Sequence, residues 1–158
     1  MGERVSEIYS LLVPLVNERL IVPRSCVAEV IGYQPPAEMT GAPPWYLGVV
    51  AWNNRSLPLV SFEGCCGEDI PPATSRSRIV ILHAVSPRID AGYFAIVSQG
   101  FPQLVRVSSD VVKPDVSRSF GERVPVICQL RMLNEAPLVP DLDRLEGMVA
   151  EETSILPI

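Results

Sequence analysis

The chain has 158 residues, 47% of them hydrophobic and 20% charged, which is the composition of a folded globular protein and not of a disordered one. That length suits one ordinary domain or two very small barrels sharing a core. A formal net charge of −5 argues against nucleic acid or an anionic membrane as the partner, since both demand a basic face.

The start of the chain, Met1-Gly2-Glu3-Arg4, is charged, and the apolar stretch over 11–16 is too short to span a bilayer. We therefore expect a cytoplasmic protein with no direct membrane insertion. Met1-Gly2 with Ser6 does match the short N-myristoylation pattern. The first apolar run covers 8–16 and turns at Asn17-Glu18-Arg19 into 20–22. Pro14 inside it predicts an edge or bent strand, because proline cannot donate to a ladder. A further strand is expected over 25–33, followed by a polar, Pro-rich loop over 34–44. Residues 46–52 and 57–62 form a predicted hairpin. Asn53-Asn54 at its tip tolerates positive φ, which tight hairpin turns require.

The stretch 64–77, rich in Gly, Pro, Ser and Cys, predicts a boundary between two halves, 7–67 and 76–150, with terminal strands free to exchange between them and 151–158 as a tail. Beyond it lie predicted strands over 78–85, 93–97 and 104–107. Residues 108–120 read as irregular, and 124–133 with 137–139 as a last hairpin across Asn134-Glu135. Only the end has helical spacing: Asp141 can cap 142–146, with Leu142, Leu145 and Val149 on one face. Gly147 predicts that this helix is short. "LPLVSFEGCCG" (57–67) is echoed by "APLVPDLDRLEG" (136–147), in agreement with two related halves. Short strands of even length, scattered prolines and scarce 3.6-residue periodicity together predict an all-β fold with a short C-terminal helix.

The residues that could carry chemistry are few. His83, the single histidine, lies inside an apolar strand, where a partly buried structural histidine is expected. Cys26, Cys65, Cys66 and Cys128 fit no zinc ribbon or C-x-x-C pair, so we expect reduced thiols and no metal or cofactor. The acids Glu63, Glu68, Asp69, Asp141, Asp143 and Glu146 fall where solvated loops and a helix start would place them. No phosphate-binding glycine loop is present. Catalysis is therefore not expected. Surface remains: Trp45, Tyr46 and Trp52 cluster beside a Pro-rich loop, where large aromatics serve either core packing or a protein interface.

The stretch "VAEVIGYQPPAEMTGAPPWYLGVVAWNNRSLPLVSFE" resembles the first half of the CheW-like domain of bacterial chemosensory coupling proteins. The matching residues are Val27 to Ile31, Ala42-Pro43 with Trp45, Gly48-Val49-Val50, and Leu57-Pro58-Leu59-Val60. More loosely, "YFAIVSQGFPQLVRVSSDVV" and "PLVPDLDRLEGMV" are similar to later parts of that domain, so the likeness runs over about residues 7–150. Leu12, Pro14-Leu15, Leu20, Pro23, Tyr33, Pro35, Trp52 and Ser61-Phe62-Glu63 resemble most the ChpC-type variant of chemosensory pili systems.

The resemblance implies two SH3-like five-stranded β-barrels packed together. It also implies an adaptor that joins the regulatory domain of a CheA-type histidine kinase to the cytoplasmic tip of a chemoreceptor, in arrays of the kind that govern type IV pili. Trp52, Asn53, Asn54 and Arg55 at the hairpin tip are the expected residues of one contact. Glu29, Ile31 and Tyr33, on the adjacent strand, are those of another. The family's Asn-x-Arg-Gly stretch aligns with Ala51, Trp52, Asn53 and Asn54, which places an arginine two residues late, at Arg55. The rival readings are a small-molecule-binding barrel and a thiol enzyme built on Cys65-Cys66.

Overall fold

The computed structural model describes residues 7–155 apart from 109, 111 and 133. The acylation pattern at Met1-Gly2 and Ser6, the Leu133 end of a predicted strand and the last three residues of the tail lie outside them. In chain order the elements are β1 (Glu7–Pro14), β2 (Arg19–Pro23), a 3-10 turn (Arg24–Cys26), β3 (Val27–Gly32), β4 (Tyr46–Trp52), β5 (Arg55–Val60), α1 (Phe62–Cys65), β6 (Arg78–His83), β7 (Tyr93–Ser98), β8 (Gln103–Ser108), β9 (Lys113–Pro114), β10 (Val126–Arg131), β11 (Leu138–Pro140) and α2 (Leu142–Ile155).

The strands form two sheets, ordered β3-β6-β7-β5-β4 and β8-β1-β2-β11-β10-β9. The first is consecutive in sequence. The second takes β1 and β2 from the N-terminus and the rest from beyond residue 100, so strand pairing divides the chain by exchange of its first hairpin and not at a single linker. Each sheet contains one parallel contact. Leu59 of β5 pairs with Ala95 of β7, and Leu138 of β11 pairs with Leu20 of β2. The two strands that make these contacts carry the Pro-Leu-Val echo, and each leads through a capping residue into a helix. Ser61 Oγ accepts from the Gly64 N–H at 3.1 Å, and Asp141 Oδ1 from the Arg144 N–H at 3.0 Å.

Pro14 sits at the end of β1, which is an interior strand and not an edge. It is tolerated because pairing with β8 stops at Leu12, while pairing with β2 continues to Pro14. The freed Pro14 carbonyl accepts from the Gln99 N–H at 2.8 Å.

Two cores explain the unbroken apolar runs. Along β6, Ile79 and Ile81 face the interior of the first sheet with Val50, Leu57, Leu59, Ala95 and Val97. Val80 and Leu82 face the other way, against Val13, Leu20 and Val22 of the second sheet and Leu145 and Val149 of α2. Strands buried on both faces lose the polar alternation of half-exposed ones.

The expected C-terminal helix is present and runs from Leu142 through Ile155, beyond residues 142–146. At Gly147 the missing side chain leaves room for Arg88, which lies across the helix and bonds to Asp143. Two expectations need correction. A short helix, α1, occupies part of the predicted linker. Within 108–120, Lys113–Pro114 pairs with β10.

Two buried glutamates tie the halves together. Glu63, on α1 after the first sheet, accepts from the Val16 N–H in the β1–β2 turn of the second at 3.2 Å. Glu146, on α2 after the second sheet, accepts from the Val85 and Ser86 N–H groups in the β6–β7 connection of the first, both at 3.0 Å.

The ring of the first sheet closes through the segment after β3, where Ala37 and Val49 exchange backbone bonds of 2.9 and 3.0 Å. Gly48 permits this closure. Its φ is +141°, and a β-carbon there would overlap the Ala37 carbonyl. Gly48→Ala should therefore cost about 3 kcal/mol or more, from left-handed backbone strain plus overlap. A urea unfolding midpoint lowered accordingly checks this; an unchanged midpoint contradicts it.

Candidate functional site

Strand alternation places one residue of each inner strand at a mouth of the first barrel. On β5, Arg55 precedes the buried Leu57 and Leu59; on β6, His83 follows Ile79 and Ile81; on β7, Tyr93 precedes Ala95 and Val97. The register then fixes the neighbours: His83 lies opposite Tyr93 and Trp52 opposite Arg55. The result is an aromatic platform. The Trp52 and Tyr93 rings meet edge to face, centroids 4.9 Å apart, and the His83 ring lies 5.3 Å from Tyr93. The Arg55 guanidinium carbon stands 5.3 Å above the Tyr93 ring centre, within cation–π range.

Polar bonds lock this arrangement. The Trp52 Nε1–H donates to Glu29 Oε2 at 2.6 Å, and Arg55 Nη1–H to the Ala91 carbonyl at 2.8 Å. Between the two strands, Asn53 and Asn54 have φ of 50° and 60°. Two successive left-handed residues make the type I′ turn, whose twist matches that of the strands it joins. Both asparagines are exposed, and so are Arg55, Glu29 and His83.

The residues singled out from the sequence thus separate into two places. Glu29 joins Trp52, Asn53, Asn54 and Arg55 at this mouth. Ile31 is half-buried against the barrel core, and Tyr33 stands at the opposite mouth with Leu47, Val97 and Gln99, around a cavity of about 250 Å³. Tyr93 and His83 were missed by sequence reasoning, and His83 is exposed where a partly buried histidine was expected. The period-2 pattern Ile79-x-Ile81-x-His83 and Tyr93-x-Ala95-x-Val97 was the available signal. Of the other aromatics, Tyr46 is core, its hydroxyl 2.9 Å from that of Thr153, and Trp45 is half-buried beside it.

The cysteine pair has the wrong surroundings for a nucleophile. Burial, then the neighbouring Cys66, pushes the Cys65 thiol far up; burial, then Glu68, Glu18 and Glu63, pushes Cys66 up to about 12. The thiolate is the reactive form, and here burial and the surrounding carboxylates oppose it. Among the described residues no group of three or more His, Cys, Asp or Glu is placed to hold a metal ion.

The comparisons with known proteins agree with this architecture. A family model described as the CheW-like domain matches residues 10–145. No curated protein matches the chain by sequence. Among solved structures, the scaffolding protein TtCheW from Thermoanaerobacter tengcongensis superposes with a TM-score of 0.71 at 11% identity, over 89% of this chain and 88% of that one. That likeness is one of fold.

We expect Cys65 and Cys66 to resist a thiol reagent at pH 8 until urea unfolds the chain. Replacing both by Ser should leave partner binding unchanged. Rapid labelling of either in the folded protein contradicts this account.

Proposed function

The chain belongs to the CheW-like domain family, and on that premise we propose that it is a non-enzymatic adaptor coupling the regulatory domain of a CheA-type histidine kinase to the cytoplasmic tip of a chemoreceptor. The observation that carries this reading beyond family membership is the mouth of the first barrel. Its aromatic residues Trp52 and Tyr93 are half-exposed beside the exposed Arg55 and Glu29, and Glu29, Ala91 and Tyr93 already fix the arrangement. A surface ordered before binding loses little side-chain entropy on association, and Trp, Tyr and Arg are the residues that most often anchor interfaces.

Trp52, Arg55, Glu29 and Tyr93 form the anchor of one contact, with Asn53 and Asn54 as its polar rim. Ile31 and Tyr33, toward the opposite mouth, belong to the second contact. A stable complex needs about 800 Å² from each partner, so the platform is the centre of a larger patch. The similarity to the ChpC-type variant extends the proposal to arrays that act on type IV pili. The site of action is then the cytoplasmic face of a membrane, reached through the receptor and not by insertion.

A ligand-binding barrel is the weaker reading. Val50, Leu57, Leu59, Ile79 and Ile81 fill the first barrel and are at most 3% exposed, so its interior is packed side chain.

Arg55→Glu and Trp52→Ala should each weaken binding to one of the two partners at least tenfold, about 1.4 kcal/mol. Arg55 is exposed, so its replacement should shift the melting temperature by only a few degrees. Calorimetric titration of each variant with a kinase regulatory domain and with a receptor-tip fragment measures both. Unchanged affinity for both partners overturns the assignment of this mouth.

A further inference from the structure

The two glutamates that clasp the halves occupy matching places but are unequally provided with donors. Both oxygens of Glu146 are bonded: Oε2 to the Val85 N–H, and Oε1 to the Ser86 N–H and, at 2.5 Å, the Ser86 hydroxyl. Glu63 is as deeply buried, 3% exposed against 1% for Glu146. Its Oε2 has the single Val16 N–H, and its Oε1 has no partner.

Every element packed around Glu63 presents a neutral or negative group. The segment after α1 brings Glu68, and α1 itself brings the Cys65 thiol. The crossover after β7 brings the Gln99 amide. The β1–β2 turn brings Glu18 beside Cys66, and the cation within reach of that turn, Arg118, is bonded to Glu18. A carboxylate stripped of water with one donor and no cation is strongly disfavoured, and the neutral acid, which buries no charge, is disfavoured far less. Burial raises the Glu63 carboxyl above its ordinary range, and the Glu68 charge adds to this. The N–H dipoles of its own backbone, of Val16 and of the Gln99 side chain, of which only the Val16 N–H stands at hydrogen-bond distance, offset part of the rise.

We propose that Glu63 is a proton-binding site built into the junction of the two halves, neutral while the β1–β2 turn covers it and ionised when that turn parts from α1. The proton sits on Oε1, the oxygen without a donor, and passes to solvent as the junction opens. The sign follows from linkage. A carboxyl whose folded pKa lies above its unfolded value, about 4.3 for glutamate, binds a proton on folding. Its contribution to stability is complete below the unfolded value and is lost as pH rises through the folded one.

The test is urea unfolding of the full chain between about pH 5 and pH 8, a range that starts just above the ordinary glutamate value, beside the Glu63→Gln variant. The glutamine keeps the shape of the acid and removes the titration. Relative to the variant, the unfolding constant of the wild type should rise with pH, by up to about tenfold per unit within the window. Parallel curves overturn the proposal. Should the variant not fold, the carboxyl-carbon NMR titration of Glu63 in the wild type decides: a midpoint above the ordinary glutamate value supports the proposal, and one at or below it overturns it.

Discussion

The fold depends on the burial of β6 and β7 on both of their faces. One face fills a barrel too narrow for anything but side chains. The other receives the β1–β2 hairpin, β11 and α2. At about 25 cal/mol per Å² of apolar surface, a strand buried twice gives the chain far more than a half-exposed one, and a chain of this length has few ways to obtain it. The exchange of the first hairpin follows from this constraint. By crossing to the second sheet, β1 and β2 carry Val13, Leu20 and Val22 onto the outer face of the first. Neither sheet is then a self-sufficient unit, and the halves are expected to unfold together.

The clasping glutamates and the parallel pairings repeat on both sides of this shared core. In each half a Pro-Leu-Val strand pairs in parallel, a short polar side chain caps the helix that follows, and a buried glutamate reaches the turn of the opposite half. The core therefore fixes the barrel axis, and the barrel axis fixes its mouths. At one of them the inward alternation of four strands runs out into solvent, and residues that would have been core become a platform. On the proposed reading, a binding surface made this way needs no loop to be ordered on association.

Much of this was legible from residues alone. The Asn-Asn tip marked a tight turn and the short apolar runs marked an all-β fold, while the small barrels came from the family resemblance. What escaped has physical causes. Pro14 reads as an edge signal, yet the register of β8 ends two residues earlier. Gly147 reads as weakening its helix, yet Arg88 packs against the space a β-carbon would occupy and the helix runs on to Ile155. The lone histidine reads as partly buried because its strand is apolar, yet that strand ends at the barrel mouth and His83 is exposed. Glu63 reads as a linker acid because nothing local shows that the β1–β2 turn will cover it. Each miss depends on a partner distant in sequence, which a local pattern does not encode.

The most direct test of the central claim, that a surface ordered by the barrel mouth receives a signalling partner, is a hydrogen-exchange footprint of the full chain with and without a CheA-type regulatory domain. The account predicts slowed exchange at the tip of the β4–β5 hairpin and around Ala91 and Tyr93, with little change along β10 and β11. Protection confined to the second sheet, with the hairpin tip unaffected, would contradict it.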